Sequence, residues 1–274
     1  MSRQYFRSEK LTGHTTRIYD ILGVALYLVE GTDKACVIDT GHGLGNLREY
    51  VETLTDKPTF VVLTHGHIDH ANAAALWDEV YMSPLDLEVY AEHSSMEKRR
   101  EQFLESDLTK DIPIEEYNPI RTAPFLPLSD GQIFDLGGVT LEAAAAPGHT
   151  PGMTMILIRE DRMMLFGDGC GLEVLMCFPT SSPISAYLKV LEHIKTYEPR
   201  YDRIIRNHGT CESPKELLDN CIACCRDILN NCDAKQLTNF REIPVLSARP
   251  IDPKTHARLD GRQGNIFYIE EKRC

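Results

Sequence analysis

Residues 64–70 read THGHIDH, three histidines and an aspartate directly after the apolar run Phe60, Val61, Val62 and Leu63. Further along, His149 lies in PGHTPG (147–152), Asp168 in LFGDG (165–169) and His208 in NHG (207–209). Imidazole and carboxylate are the ligands that zinc, iron and manganese accept, and the two oxygens of a carboxylate can join two ions. On extended chain the side chains at i and i+2 point the same way, so His65 and His67 can bind one ion. A tight turn after them would face Asp69 and His70 toward a second ion, with Asp168 as the natural bridge. Glycines 66, 148, 152, 167, 169 and 209 flank these residues, where the chain must turn sharply beside the ions.

Each of these groups follows a predicted strand. Strands are expected over 59–63, to about 145, over 162–167 and over 203–207, so four strand ends deliver ligand-type side chains to loops. Earlier in the chain, TRIYDILGVALYLVE (16–30) and KACVIDTG (34–41) read as a meander. A helix is predicted over about 44–55, where Leu44, Leu47, Val51 and Leu54 recur at helical spacing. ANAAALW favours another helix, EVYMS a short strand, and 84–107 a long charged helix. Four prolines between 113 and 127 mark an extended connection. Two strands at 132–135 and 138–145, one at 153–159, and helices at 183–197 and 214–231 complete the pattern. The last stretch, NIFYIEE, reads as an edge strand. Two strand-rich halves with helices imply layered α/β architecture. All 274 residues are read as a single domain, with a helical insertion at 84–121 and an extension at 241–274.

The formal net charge of −12 leaves no basic surface to neutralise phosphates, so a small-molecule substrate is expected and nucleic acid is not. No stretch approaches the roughly 20 apolar residues of a membrane span, and 1–10 lacks the apolar core of a signal peptide. Nine cysteines, without a small-domain disulfide framework, read as reduced thiols. A cytoplasmic protein is the expectation.

The order of motifs resembles the metallo-β-lactamase superfamily. THGHIDH is similar to its His-x-His-x-Asp-His signature, PGHTPG, LFGDG and NHG to its later motifs, and VIDTG (37–41) to its early one. The likeness covers about 16–210 and implies the four-layer αββα sandwich, two mixed sheets face to face with helices outside. Carried over residue by residue, it implies that His65, His67 and His149 hold one metal and that Asp69, His70 and His208 hold a second. Asp168 would bridge the two, and Asp39 would support the ligands from behind.

The implied cofactors are two divalent ions, zinc first, with iron or manganese as alternatives. The implied chemistry is attack by a hydroxide held between the ions on a small ester, thioester or lactone, with Asp69 a candidate proton acceptor. The resemblance leaves three other readings open: a phosphodiesterase or nuclease of the same fold, a mononuclear iron dioxygenase for persulfides, and a non-catalytic metal-binding protein. Antibiotic-cleaving members place cysteine where this chain has Asp168, and the flavo-di-iron branch replaces a first-motif histidine that this chain keeps as His67. Both departures point to the glyoxalase-II-like or lactonase-like branch.

Other features read as structural. CIACC (221–225) falls on one apolar stripe of the helix at 214–231, whose start, Ser213 to Glu216, resembles a capping box. Cys170 is read as filling a turn, with a place near the second metal as the alternative; His42, just after the DTG turn, as an exposed loop histidine, with reach to the mouth of the site as the alternative; and His93 as a surface or packing residue. Loops 42–46, 84–121 and 170–183 and the tail around Arg258 to Phe267 are expected to face the metals. Met176, Phe178 and Tyr187 are possible walls there, and Arg258 and Arg262 are read as facing water.

Overall fold

The computed structural model describes residues 3–274. The first sheet takes its strands in chain order, each beside the next: β1 (Arg7–Lys10), β2 (Thr15–Tyr19), β3 (Ala25–Glu30), β4 (Ala35–Ile38), β5 (Thr59–Val62), β6 (Val80–Met82) and β7 (Leu126–Pro127). It is antiparallel as far as β4 and parallel beyond. The second sheet begins with β8 (Ile133–Asp135), β9 (Thr140–Ala145), β10 (Thr154–Ile158) and β11 (Met163–Leu165). β12 (Val174–Met176) then leaves it, and β13 (Arg203–Ile205) and β14 (Glu212–Ser213) return to β11 and complete the order β14-β13-β11-β10-β9-β8.

Period-two alternation decides which residues meet. Ala25, Tyr27 and Val29 of β3 and Phe60 and Val62 of β5 turn inward onto Ala143, Ile156, Ile158, Met163 and Ile205 of the second sheet. Their neighbours Leu26, Leu28, Val61 and Leu63 turn outward and pack with Leu47 and Val51 of α1 (Leu47–Glu52) and with Trp77. On the far side, Met155, Leu157 and Met164 pack under α5 (Ile184–Lys195) and α6 (Glu216–Leu229). Helix, sheet, sheet, helix is the αββα sandwich, with the hydrophobic effect acting at all three interfaces.

Several elements depart from expectation. The helix after THGHIDH is two short pieces, α2 (Ile68–Ala71) and a 3-10 turn at Ala74–Leu76. The long charged helix is broken into α3 (Leu87–His93) and α4 (Met96–Leu104), because Ser95 stops one and caps the other by accepting from the Lys98 amide. Helix α1 starts later than Leu44, since Gly43 and Gly45 both hold positive φ. The capping box at α6 is absent: Ser213 pairs with Ile204 in β14, and its hydroxyl accepts from Arg206 Nε.

The largest difference is a third sheet, beyond the two expected. β15 (Gln236–Phe240), β16 (Ile243–Ser247) and β17 (Ile266–Tyr268) join β12 in the order β12-β17-β16-β15. NIFYIEE is therefore an interior strand, paired on both sides, with Ile266, Phe267 and Tyr268 all buried. Nothing of β15 announced it, because QLTNF alternates between half-buried and exposed positions and carries little apolar content.

Glu142 of β9 shows how charge is used away from the site. Hydrogen bonds from Arg200, against the opposing effect of burial and with help from Arg159, pull its carboxyl down to about 2. The folded value lies below the unfolded one, so the pair stabilises above about pH 4.5 and loses that contribution as pH falls through about 2. Glu142→Gln should therefore lower stability at pH 7 by about 1–3 kcal/mol. Thermal melts should show the gap to the native chain closing toward pH 2; a gap independent of pH would exclude this ion pair as its source.

Candidate metal centre

Asp39 ends β4 with φ of 64°, a left-handed turn that aspartate tolerates and that sets its carboxylate beneath the first motif. Its oxygens accept from the Thr64 amide at 2.7 Å, the Thr64 hydroxyl at 2.8 Å, Asn207 Nδ2 at 3.0 Å and His70 Nδ1 at 2.9 Å. Fully buried, it ties together the loops after β4, β5 and β13. With Nδ1 donating to Asp39, Nε2 of His70 is left with a lone pair for a ligand. The Leu175 carbonyl does the same for His149, accepting from Nδ1 at 3.0 Å.

The freed nitrogens converge. His65, His67 and His149 place one ring nitrogen each within 4.8 Å of one another, and so do the ligand atoms of Asp69, His70 and His208. Between these two groups lies a third set, His65, His70 and Asp168. Asp168 carboxylate oxygens stand 3.2 Å from His208 Nε2, 3.7 Å from His70 Nε2 and 3.8 Å from His149 Nε2. The structure thus gathers all seven predicted ligand-type residues into one cluster, with Asp168 between the two ends.

The cluster suits cations. His149 Nε2 faces His67 Nδ1 at 3.0 Å and His70 Nε2 faces His208 Nε2 at 3.3 Å, and the first nitrogen of each pair is an acceptor when its ring is neutral. His65 Nε2 and Asp168 Oδ1 are buried without a hydrogen-bond partner, the mark of atoms shaped for a ligand. Burial, reinforced by neighbouring histidines, holds His65 and His67 well below the usual imidazole range. Burial also opposes charge on His70, but Asp69, Asp168 and Asp39 overcome it and raise that ring well above its ordinary value. A donor set of histidine nitrogens and carboxylate oxygens fits divalent zinc, iron or manganese.

Asp86 was not foreseen. It lies in the 3-10 turn Pro84–Asp86, is fully buried, and accepts from the Gly66 amide at 2.8 Å, the Thr150 hydroxyl at 2.8 Å and the Gly152 amide at 2.5 Å. One carboxylate thereby joins the loop carrying His65 and His67 to the loop carrying His149. Both glycines are demanded by close approach: a Cβ at Gly66 would lie 2.8 Å from the Tyr90 amide, and one at Gly152 2.7 Å from Asp86 Oδ1.

A cavity of about 340 Å³ opens over the cluster. Leu175, Phe178, Phe240 and Ile243 give it apolar wall, and Glu101, Glu105 and Arg241 stand at its rim. A second cavity of about 350 Å³ shares Asp69, Asp168, Leu175 and Phe240 with the first and extends past His208 to Leu172. The hairpin β15–β16 supplies Phe240 and Ile243 to this wall, and the tail around Arg258 to Phe267 supplies none of it. Arg241, at its turn, donates to Gln102 of α4 at 2.7 Å, so the C-terminal sheet and the 84–121 segment meet over the site.

The other singled-out residues sort themselves by burial. Phe178 faces the cavity and packs on His67 and His149. Met176 and Tyr187 belong to the core under α5 and α6, where the Tyr187 hydroxyl donates to the Gly169 carbonyl at 2.5 Å. Cys170, Cys221, Cys224 and Cys225 are buried in that same core. Arg258 does not face water; it is held by Asp260 and the Gly264 carbonyl. His42 is buried rather than exposed, and His93 is not a surface residue: its ring stacks on His67 with centroids 4.4 Å apart. The Ile68 amide donates to His93 Nδ1 at 3.3 Å, which leaves the ring proton on Nε2. Burial, with help from Lys98, keeps this imidazole neutral down to about 4.

A family model described as the metallo-beta-lactamase superfamily matches residues 19–174, more than half of the chain. The chain is 22% identical over 199 residues to a probable polyketide biosynthesis zinc-dependent hydrolase of Bacillus velezensis, covering 71% of this chain and 76% of that one. It is 28% identical over 186 residues to an acyl-coenzyme A thioesterase of Homo sapiens, covering 62% of this chain and 66% of that one. A solved metallo-beta-lactamase from Pontibacter korlensis superposes with a TM-score of 0.60 at 15% identity, over 81% of this chain and 99% of its own, a likeness of fold. The chain belongs to the metallo-beta-lactamase superfamily and is a metal-dependent hydrolase of that family. Among the described residues no helix is long and apolar enough to cross a membrane.

Proposed function

We propose that this hydrolase holds two divalent ions, zinc in the first instance, and cleaves a small ester, thioester or lactone. In this reading His65, His67 and His149 hold the first ion, Asp69, His70 and His208 the second, and Asp168 both. The observation that carries it is the convergence of two separate ligand triads with His65, His70 and Asp168 between them. When bound, such ions lower the pKa of a water and polarise a carbonyl.

The chain's own groups do the rest. Asp39 and the Leu175 carbonyl fix the ring orientation of His70 and His149. Phe178, Phe240 and Ile243 exclude water around an acyl chain, and the neutral His93 Nε2–H is a donor for a substrate oxygen. The zinc-dependent and thioesterase names of the two relatives favour thioester or ester over phosphodiester bonds, as does the charge of −12. A cytoplasmic location and a small-molecule substrate complete the proposal.

The test is to purify the chain without chelator, count metals per chain by mass spectrometry, and assay thioesters, lactones, alkyl esters, phosphodiesters and a β-lactam. Two ions and thioester, ester or lactone turnover are expected. A single iron with oxygen uptake on persulfides would replace this reading with the dioxygenase one, and turnover confined to phosphodiesters would replace it with the nuclease one.

A further inference from the structure

Two histidines outside the ligand cluster line the cavity of about 340 Å³, and their hydrogen bonds set them in opposite tautomers. His93 accepts at Nδ1, as described. His42 does the reverse. Its Nδ1 lies 2.6 Å from Asp20 Oδ2, and both side chains are buried. Asp20, in the turn after β2, already accepts from the amides of Leu22 and Val24 at 3.0 Å and of His42 at 3.3 Å. A carboxylate taking that many N–H groups is an acceptor only, so Nδ1 of His42 carries the proton. Nε2 is left with its lone pair, unused by any described residue, on a ring that lines the cavity with Asp69 and Asp168. The ring is backed by Phe103 of α4, 6.1 Å between centroids.

We propose that His42, oriented by Asp20, is the proton carrier for the leaving group. This rests on the hydrolase reading above. An aspartate on Nδ1 and a free Nε2 is the arrangement that moves protons in hydrolytic triads. Here the partner of Nε2 is the reacting water and then the departing atom. Between the ions the water is acidic enough to shed a proton with or without this ring; with His42 in place that proton passes to Nε2 as the water oxygen bonds to the acyl carbon, and Asp20 stabilises the resulting imidazolium. The bond from the acyl carbon to the leaving oxygen then breaks, its electron pair goes to that oxygen, and Nε2 returns the proton there. The products are an alcohol and a carboxylic acid, which loses its proton to solvent, and the ring ends neutral. If His42 only braced the DTG turn through Asp20, nothing would require an open Nε2 in the cavity.

The signature is dependence on the leaving group. An alkoxide is too basic to depart unprotonated, whereas a nitrophenolate leaves unaided, and so does a thiolate, whose thiol titrates near 8.5. The zinc-loaded chain of 274 residues is assayed on the alkyl ester, the nitrophenyl ester and the alkyl thioester of one acid. His42→Gln should lower kcat on the alkyl ester by about 10²–10⁴-fold, with less than about a tenfold change on the other two and metal content unchanged. Asp20→Asn, which keeps the shape of the pair, should show the same selectivity and serves if the glutamine variant fails to fold. Equal losses on all three substrates would overturn the proposal. A readout free of turnover is the long-range ¹⁵N–¹H correlation of the histidine rings: Nδ1–H with bare Nε2 is expected for His42, and the opposite tautomer would overturn it. A native chain that cleaves none of the three sinks the hydrolase reading, while the ring spectrum still decides the pair.

Discussion

Asp168→Ala is expected to lower bound metal from two ions per chain toward one and to reduce turnover by about 10³-fold or more, the scale on which members of one catalytic unit act. The reason is position. Among the described residues Asp168 is the one carboxylate within 4 Å of ring nitrogens from both ends of the cluster, those of His149 and of His208. Without it, His70, His149 and His208 still converge, but no carboxylate stands between the two triads, and Asp69 is left as the anion of the second alone. Asp168→Asn keeps the shape and removes the charge, so it should hold metal more weakly while folding normally. Metal counted by mass spectrometry and rates on the best substrate check both. A variant that keeps two ions and full rate would remove Asp168 from the bridge.

Asp86→Ala is expected to have the next largest effect, although Asp86 belongs to neither ligand triad. It leaves the Gly66 and Gly152 amides and the Thr150 hydroxyl without their buried acceptor. Unsatisfied buried donors cost roughly 1–3 kcal/mol each, so a stability loss of about 3–5 kcal/mol is expected after local relaxation. Metal affinity should fall by about 10–100-fold, because the loops of His65, His67 and His149 lose their common anchor. Chemical denaturation of the metal-free chain reads the first effect, and competition with a chromophoric chelator reads the second. Stability loss with unchanged affinity would make Asp86 a support of the fold alone.

These two residues mark what was legible in the chain and what was not. Asp168 sits in LFGDG at the end of an apolar run, and THGHIDH concentrates four ligand-type groups in seven positions, so spacing alone exposed them. Asp86 is a lone aspartate between Leu85 and Leu87 with no ligand-type pattern around it, and its importance arises from two glycines, 66 and 152, brought to it by tertiary folding. His42 was misplaced for a similar cause, and the packing of His93 against a ligand-type histidine was not foreseen. Neither the left-handed turns that bury His42 nor the break at Ser95 that ends α3 near His67 has a periodic signal. The central strands were legible because Phe60 to Leu63 and Met155 to Ile158 are continuously apolar, as strands buried on both faces must be. β1, β15 and β16 were not, since their exposed positions carry no alternation strong enough to read.

The interior place of β17 has a consequence for the order of assembly. His149 is oriented by the Leu175 carbonyl of β12, and β12 finds its sheet partner only in β17, some ninety residues later in the chain. All seven ligand-type residues therefore leave the ribosome before the strand that secures one of them exists. During that interval β12 has no sheet partner on either edge, and the His149 loop has a floor that nothing yet holds. Maturation of the centre waits on residues 266–268, so a nascent chain arrested before them would carry every ligand and still lack the finished cage.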